Sequence, residues 1–166
     1  MLALGINANS PFAIRYPRGK VVESSSMEEN SARVEIGRAE IIREGSDACI
    51  IACGSMTRTA LEAAAILDKE FSISVINARF IKPLDAETII AAAEKTGKII
   101  TIEEHVLAGG FGSAVCELLI QHQIKARITI LGLPDTFVEH GETSLLLKKY
   151  KLDVDGIVER IREIMG

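Results

Sequence analysis

The chain has 166 residues, of which 48% are hydrophobic and 25% charged, and its formal net charge is −4 at neutral pH. This composition is typical of a globular domain with a full apolar core, and the acidic balance, without a basic patch interleaved with aromatic residues, argues against nucleic-acid binding. No run of about 18 apolar residues and no basic-then-apolar leader occurs, so we expect neither membrane insertion nor secretion, and a cytoplasmic location.

The chain begins with an apolar stretch, residues 1–9, which is typical of a helix end with no partner to pack on, as at the start of a fragment. A β-rich segment over residues 11–19, PFAIRYPRG, follows and carries Arg15 and Arg18 near its end. Proline fixes φ and glycine frees the backbone, so we expect the strand to stop there with Arg18 held on a short turn. A guanidinium at a strand end suits an anionic substrate; the alternative is an exposed edge strand with solvated arginines.

Residues 23–31, ESSSMEENS, are a polar stretch without apolar periodicity, which is typical of a linker or a mobile loop. We therefore predict a domain boundary here. Residues 1–30 are predicted to be the remnant of another domain with its linker, and residues 31–166 to be one domain with a core of its own.

Strands and helices alternate from about residue 32 onward. Residues 38–43 are a short predicted strand, and residues 48–53 are a continuous apolar run typical of a strand buried on both faces. These two strands are expected to pair as a hairpin. The further predicted elements are helices at about 55–67, 83–94, 112–121, 142–150 and 154–165 and strands at 73–77, 98–103 and 127–131.

Repeated β-α-β units imply a parallel sheet covered by helices on both faces, to which the hairpin adds one antiparallel strand. The predicted fold class is α/β: a three-layer α/β/α sandwich around a mostly parallel five-stranded sheet with one antiparallel edge strand. In such sheets ligands and partners meet the carboxyl ends of the strands. Here those ends are residues 53–55, 77–79, 103–105 and 132–135.

A glycine-rich turn over residues 108–113, AGGFGS, leads from a strand into a helix, where free backbone N–H groups could hold a phosphate. The Gly-x-Gly-x-x-Gly spacing and the acidic residue of a dinucleotide fingerprint are both missing. Tight packing of the helix on the strand is therefore the favoured interpretation, and nucleotide binding is the alternative.

Three polar residues, Glu103, Glu104 and His105, stand in a row at a strand end and suggest a metal or acid–base site. Neighbours on a strand alternate faces, so the three cannot converge on one ion. We favour a polar strand end at an interface, with Glu104 and His105 as candidate contacts. Arg79, just before the sharp strand-to-helix turn at residues 82–85, is a further candidate for a contact outside the domain.

The cysteines are three in number, and Cys49 and Cys53 lie in an apolar run. This pattern favours buried, reduced thiols over disulfides or a metal site. Cys53 stands before Gly-Ser at a strand-to-helix turn, as a nucleophile would, but the Gly-x-Ser-x-Gly elbow is absent and a core thiol is favoured.

Several segments together resemble the C-terminal end of the 1-deoxy-D-xylulose-5-phosphate synthase family in order and spacing. They are RYPRG at 15–19, NARFIKPLD at 77–85, EEHVLAGGFGSAV at 103–115, and GLPD at 132–135 with Gly141. The resemblance covers residues 11–166. Each segment alone is weak, because transketolases and 2-oxoacid dehydrogenase β subunits share the fold and versions of the Lys-Pro-Leu-Asp turn.

The resemblance implies that the whole enzyme condenses pyruvate with glyceraldehyde 3-phosphate, using thiamine diphosphate and Mg, in isoprenoid precursor synthesis. It also implies that Arg18 helps to anchor the phosphate of the acceptor aldehyde, a task that suits a permanently charged, forked guanidinium. Arg15 is then its structural neighbour and, with Arg79, Glu104 and His105, a candidate interface residue. The family binds cofactor and metal through a Gly-Asp-Gly segment that this chain lacks, so we expect no catalytic, cofactor-binding or metal-binding residue in it.

On this resemblance, residues 1–30 are the end of the pyrimidine-binding domain with its linker, and residues 31–166 are the transketolase C-terminal-like domain. The expected partners are the remaining domains of the same enzyme and a second copy in a homodimer. The isolated chain is expected to be inactive and to supply interdomain and dimer contacts. The alternatives are a subunit or C-terminal module of a split transketolase, or of a 2-oxoacid dehydrogenase β subunit.

Overall fold

The fold is taken from a computed structural model, which describes residues 1–16 and 34–166. The strands are β1 (Glu40–Arg43), β2 (Ala48–Ala52), β3 (Ile73–Asn77), β4 (Lys98–Val106) and β5 (Arg127–Leu133). The helices are α1 (Leu2–Ile6), α2 (Met56–Ile66) with a 3₁₀ turn at Leu67–Lys69, α3 (Ala86–Thr96), α4 (Phe111–Gln121), α5 (Thr143–Lys149) and α6 (Val154–Met165). These bounds lie close to the predicted ones from β1 onward.

The five strands form one sheet in the order β1-β3-β2-β4-β5, in which only β1 runs antiparallel. Helices cover both faces, so the predicted three-layer sandwich with one antiparallel edge strand is confirmed. The central strand β2 carries the continuous apolar run that the sequence pattern assigned to a strand buried on both faces, and all five of its residues are buried.

The predicted hairpin between β1 and β2 is wrong, because β3 lies between them. The loop that joins β1 to β2 is fastened to the start of β3: the N–H groups of Ser46 and Asp47 both donate to the carbonyl of Ser72 at 2.9 Å. A Cβ on Gly45 would lie 2.3 Å from the backbone of Ile73, so only glycine lets the chain cross so closely over β3. The chain therefore passes over β3 before it enters β2.

The core has two halves, one on each face of the sheet. Along β2 the side chains alternate: Ile50 faces α2 and α6, and Ile51 faces α3 and α4. Both are fully buried. This alternation explains why β2 shows no polar position, since each of its faces is covered by a helical layer.

Capping residues set the ends of helices α3 and α6. The Asp85 carboxylate accepts from the Thr88 N–H at 3.1 Å and caps α3 at its N-terminus, and Gly97, with φ of 64°, ends the same helix in the left-handed region. Asp153 caps α6 in the same way, through the Gly156 N–H at 3.1 Å.

The N-terminal segment is short and exposed. None of the residues of α1 is buried, and residues 11–16 form neither helix nor strand, so the predicted strand over 11–19 is wrong for its described part. Its last three residues and the predicted linker at 23–31 lie outside the described residues, and the domain boundary near residue 30 stays a prediction. Within the described ranges, no helix is both long and apolar enough to cross a membrane.

Candidate functional site

The carboxyl ends of β2 and β4 bring together polar groups from three separate parts of the chain. The Ser55 hydroxyl, just after β2, donates to Oε2 of Glu104 on β4 at 2.8 Å. The Arg15 guanidinium reaches the same residue and donates to the Glu104 carbonyl oxygen at 3.4 Å. The N-terminal segment is thereby placed against the edge of the sheet at which ligands of this architecture bind.

Glu103 is the buried member of the acidic pair and has a role that its neighbour lacks. Its side chain points inward, and the residue is only 3% exposed. Its two oxygens accept from the N–H groups of Phe111 at 2.7 Å and Gly112 at 2.8 Å, the first residues of α4. A carboxylate at this position satisfies two N–H groups that have no partner inside the helix and complements the positive end of the helix dipole.

This contact decides between the two interpretations of the glycine-rich turn. The N–H groups that a phosphate would need at α4 are already taken by Glu103. A Cβ on Gly112 would lie 2.3 Å from Ile130 Cγ2 and 2.5 Å from Thr101 Oγ1. The glycines therefore serve close packing of α4 on β4 and β5, which agrees with the favoured interpretation, and Glu103 occupies two of the N–H groups that the nucleotide-binding alternative requires.

The acidic row does not converge, as strand alternation predicts. Glu103 points into the core and Glu104 toward Ser55, while His105 is exposed, with Nδ1 3.2 Å from the Val106 carbonyl oxygen. Across residues 1–16 and 34–166, no three His, Cys, Asp or Glu side chains come together as a metal ion would require. Glu104 and His105 remain accessible for the predicted interface role, which stays a prediction.

Cys49 is buried in the core, whereas Cys53 and Cys116 are half-buried. Burial raises the pKa of the Cys49 thiol to about 12. Burial also raises the pKa of Cys53, against a smaller opposing effect of the Arg15 charge, and that of Cys116. A thiol that stays protonated at neutral pH lacks the thiolate that nucleophilic catalysis needs. This supports the interpretation of Cys53 as a core thiol.

Arg79 is used inside the domain. Its guanidinium forms an ion pair with Glu40 at 2.6 Å and its side chain is only 16% exposed, while its backbone lies in the left-handed region with φ of 54°. The expectation that Arg79 is easily spared for an outside contact therefore conflicts with this pairing, which ties β1 to the end of β3. Its interface role stays a prediction.

Asp85 has a larger structural role than its position before a helix suggests. Besides capping α3, it accepts from the Ala39 N–H at 2.9 Å and lies 3.6 Å from Arg38. Burial acts to raise the pKa of Asp85, but the hydrogen bonds from Ala39 and Thr88 outweigh it and hold that pKa below its ordinary value. Asp85 thus joins the two residues just before β1 to the start of α3.

The predicted phosphate anchor, Arg18, lies outside the described residues, so its role stays a prediction. The roles of two described residues at this edge were not predicted from the sequence: Glu103 caps a helix, and Ser55 donates to Glu104. An acid at a strand end followed by a glycine-rich helix start is the pattern that could have indicated the cap.

The structure defines the class of protein: a three-layer α/β/α domain with a mixed five-stranded sheet, whose carboxyl edge receives an arginine from the preceding segment. The family described as "Transketolase, C-terminal domain" matches residues 37–157. The chain belongs to this family.

Relatives extend the match over nearly the whole chain. The chain is 45% identical over 165 residues to a 1-deoxy-D-xylulose-5-phosphate synthase of Heliobacterium modesticaldum, covering 99% of this chain and 25% of the relative. It is 47% identical over 160 residues to a 1-deoxy-D-xylulose-5-phosphate synthase of Desulforudis audaxviator, covering 95% of this chain and 25% of the relative. The chain thus spans about a quarter of the length of these relatives, and the resemblance stated from its motifs is confirmed.

Solved structures agree on the fold. A split gene transketolase, described as an inactive beta4 tetramer, superposes with a TM-score of 0.72 at 37% identity, covering 79% of this chain and 43% of that one. A transketolase from Leishmania mexicana superposes with a TM-score of 0.56 at 21% identity, covering 75% of this chain and 17% of that one. At this identity the similarity shows the fold alone.

Proposed function

We propose that this chain forms the C-terminal domain of a thiamine-diphosphate-dependent transferase of the 1-deoxy-D-xylulose-5-phosphate synthase type. The whole enzyme joins pyruvate to glyceraldehyde 3-phosphate in isoprenoid precursor synthesis, in the cytoplasm. The observation that carries the proposal is the identity of 45% and 47% to proteins of that name along 99% and 95% of this chain.

Within that enzyme the domain acts on the acceptor substrate and on assembly. Arg18 supplies a guanidinium for the aldehyde's phosphate, and a forked cation suits a phosphate because it can donate to two oxygens at once. Arg15 supports this role, because its contact with the Glu104 carbonyl oxygen holds the segment just before Arg18 against the carboxyl edge of the sheet. Arg15, Arg79, Glu104 and His105 are the proposed contacts with the neighbouring domains, and the enzyme is proposed to be a homodimer.

The described residues do not fit thiamine diphosphate or its magnesium ion. The one helix N-terminus that follows a glycine-rich turn is closed by Glu103, and within the described ranges no acidic cluster could hold a divalent cation. Cofactor and metal belong to other domains of the enzyme in this proposal. Thiamine diphosphate supplies the carbanion chemistry there, and this chain contributes substrate anchoring and domain contacts.

A second candidate is a natural subunit of a split transketolase-like enzyme. The observation in its favour is the split gene transketolase, to which this chain is 37% identical over a superposition that covers 79% of it. In that case the domain works without a covalent link to the cofactor-binding domains. The two candidates share the same chemistry and differ in whether the parts must be joined.

One pair of experiments tests the proposal and separates the candidates. The Heliobacterium relative is prepared without its matched C-terminal quarter, and this chain is either fused in its place or added as a separate polypeptide. We expect condensation of pyruvate with glyceraldehyde 3-phosphate in the fused protein, and little in the shortened relative alone. Activity on simple mixing would favour the split-subunit candidate, and inactivity of a folded fusion would contradict the proposal.

A further inference from the structure

The carboxyl ends of β2 and β4 meet where the sheet changes its winding direction. In the order β1-β3-β2-β4-β5, the chain leaves β2 toward β3 and leaves β4 toward β5, in opposite directions. The helices that make these two connections, α2 and α4, pack on opposite faces of the sheet. In open α/β sheets, ligands bind in the crevice at such a switch point. Here that place is formed by residues 53–55 and 103–105, and we call it the switch-point crevice.

The turns beside the switch-point crevice leave room for a group from outside. Gly54, with φ of 62°, follows β2, and Gly109, with φ of 67°, precedes α4. A Cβ on either glycine would meet no heavy atom of the described residues within 4 Å. A side chain that comes from another part of the chain can therefore lie between these turns.

Ser55 joins the two sides of the crevice instead of capping a helix. Serine is among the residues preferred at helix N-caps, where its hydroxyl accepts from a backbone N–H. Ser55 stands at the N-cap position of α2, but its side chain forms no capping hydrogen bond. Its hydroxyl donates to Oε2 of Glu104 at 2.8 Å. The bond links the turn after β2 to the end of β4, and it fixes the side chain of the residue whose carbonyl faces the crevice.

The group that lies over the crevice is the guanidinium of Arg15. It donates to the Glu104 carbonyl oxygen, on the β4 side, at 3.4 Å. On the β2 side, burial raises the pKa of the Cys53 thiol and the Arg15 charge acts against this increase, so the guanidinium is near Cys53 as well. A planar cation with five N–H donors suits an opening that has acceptors on two sides. An arginine of the same chain thus occupies the position at which this architecture binds a ligand.

We propose that Arg15 is a positioning residue, whose guanidinium is held in the switch-point crevice and thereby orients the substrate-binding segment that follows it. This inference rests on the proposed function, because it acts through Arg18, the proposed phosphate anchor. Arg18 is three residues further along the chain, so its Cα lies within about 11 Å of the Arg15 Cα. Fixing Arg15 limits the positions that the Arg18 guanidinium can take, and this lowers the entropic cost of binding the phosphate. Pyruvate has no phosphate and should be unaffected.

The contact itself is tested by NMR on the 166-residue chain, without any enzyme assay. Arg15→Ala should shift the backbone amide signals of Ser55 and of His105, whose N–H belongs to the peptide group of the Glu104 carbonyl. N-ethylguanidinium at millimolar concentration should return both signals at least halfway to their original positions, and ethylammonium, which lacks the planar fork, should not. Arg58→Ala removes an exposed arginine of α2 and should leave both signals unchanged. Unmoved signals in the Arg15→Ala chain, or equal effects of the two cations, would overturn the contact.

The positioning role is tested in the Heliobacterium relative fused to this chain. Arg15→Ala should raise KM for glyceraldehyde 3-phosphate about three- to tenfold, the scale of one hydrogen bond, and should change kcat and KM for pyruvate less than about twofold. N-ethylguanidinium should reverse the increase. Ser55→Ala should act in the same direction and add little to Arg15→Ala, because both changes disturb the same contact. Circular dichroism confirms that each variant is folded.

The outcomes separate this inference from the proposed function. Equal losses for both substrates, or additive effects of the two changes, would make Arg15 merely structural and overturn its positioning role. An active fused protein whose kinetics ignore Arg15→Ala would overturn the inference and leave the proposed function standing. An inactive fused protein, together with the expected NMR shifts, would contradict the proposed function and leave the contact of Arg15 with the crevice standing.

Discussion

The carboxylate of Glu103 should be the most important single polar group for the stability of this domain. Glu103→Gln keeps the shape of the side chain but replaces one oxygen with an amide NH₂. One of the two helix N–H groups, at Phe111 or Gly112, then keeps a neutral acceptor, and the other faces a donor.

The magnitude follows from the two contacts. Each charged hydrogen bond contributes about 1.5–3 kcal/mol, and a buried N–H without a partner costs about 1–3 kcal/mol. We therefore expect Glu103→Gln to lower the free energy of unfolding by about 2–4 kcal/mol, a large share of the 5–15 kcal/mol typical of a domain.

The assay is urea unfolding followed by circular dichroism, with Glu104→Gln as the matched control. Glu104 is the next residue and carries the same carboxylate, but it lies nearer the surface. Among the described residues, its carboxylate accepts from the Ser55 hydroxyl, and an amide oxygen can accept the same hydrogen bond. Glu104→Gln should lower the free energy of unfolding by no more than about 1 kcal/mol. If the two variants unfold with the same free energy, the assignment of Glu103 as the cap that holds α4 on the sheet is refuted.

Further outcomes are expected elsewhere in the chain. Burial raises the pKa of Asp85, but its backbone hydrogen bonds lower that pKa by more, so the folded-state pKa lies below the ordinary value. Asp85 therefore stabilises the fold fully above about pH 4, and this stabilisation is lost as the pH falls through the folded-state pKa. Asp85→Asn should therefore flatten the fall of Tm on acidification, and an unchanged acid profile would contradict this. Burial raises the pKa of Cys49 to about 12, so iodoacetamide should leave Cys49 unmodified in the folded chain, while the less buried Cys53 and Cys116 react. Mass spectrometry measures the labelling rate of each cysteine, and equal rates would refute this prediction. In the fused synthase, Arg18→Ala should lower kcat/KM for glyceraldehyde 3-phosphate by roughly 10- to 150-fold, corresponding to about 1.5–3 kcal/mol. The value of kcat/KM for pyruvate should change little. Equal losses of kcat/KM for both substrates would mean that Arg18 has a structural role. Calorimetry of the isolated chain with thiamine diphosphate and Mg²⁺ should show no binding, and a Kd below about 100 μM would contradict the assignment of the cofactor to other domains.

The sequence predicted the fold wherever local patterns decide it. The apolar run of β2 and the sharp strand-to-helix turn before α3 were each sufficient to place an element, because burial on both faces and the start of a helix depend on a few neighbouring residues. The pairing of β1 could not be predicted in this way. It depends on Gly45 passing over the start of β3, and that contact joins residues far apart in sequence.

The candidate site shows the same limit. The alternation rule indicated that Glu103 and Glu104 point to different faces, but it could not tell which of them is buried, since that depends on where α4 packs. Likewise, the partner of Arg79 is Glu40, on an edge strand whose neighbour in the sheet was predicted incorrectly. The motifs nevertheless indicated the family, because their combined order and spacing is far more specific than any one of them.

The most direct test of the functional account is the condensation activity of the Heliobacterium relative in which this chain replaces the matched C-terminal quarter. The account predicts that the fused protein forms 1-deoxy-D-xylulose 5-phosphate from pyruvate and glyceraldehyde 3-phosphate at a rate within about tenfold of the parent enzyme. The shortened relative without the domain should form almost none. A fused protein that folds and binds thiamine diphosphate like the parent, yet forms no product, would contradict the account.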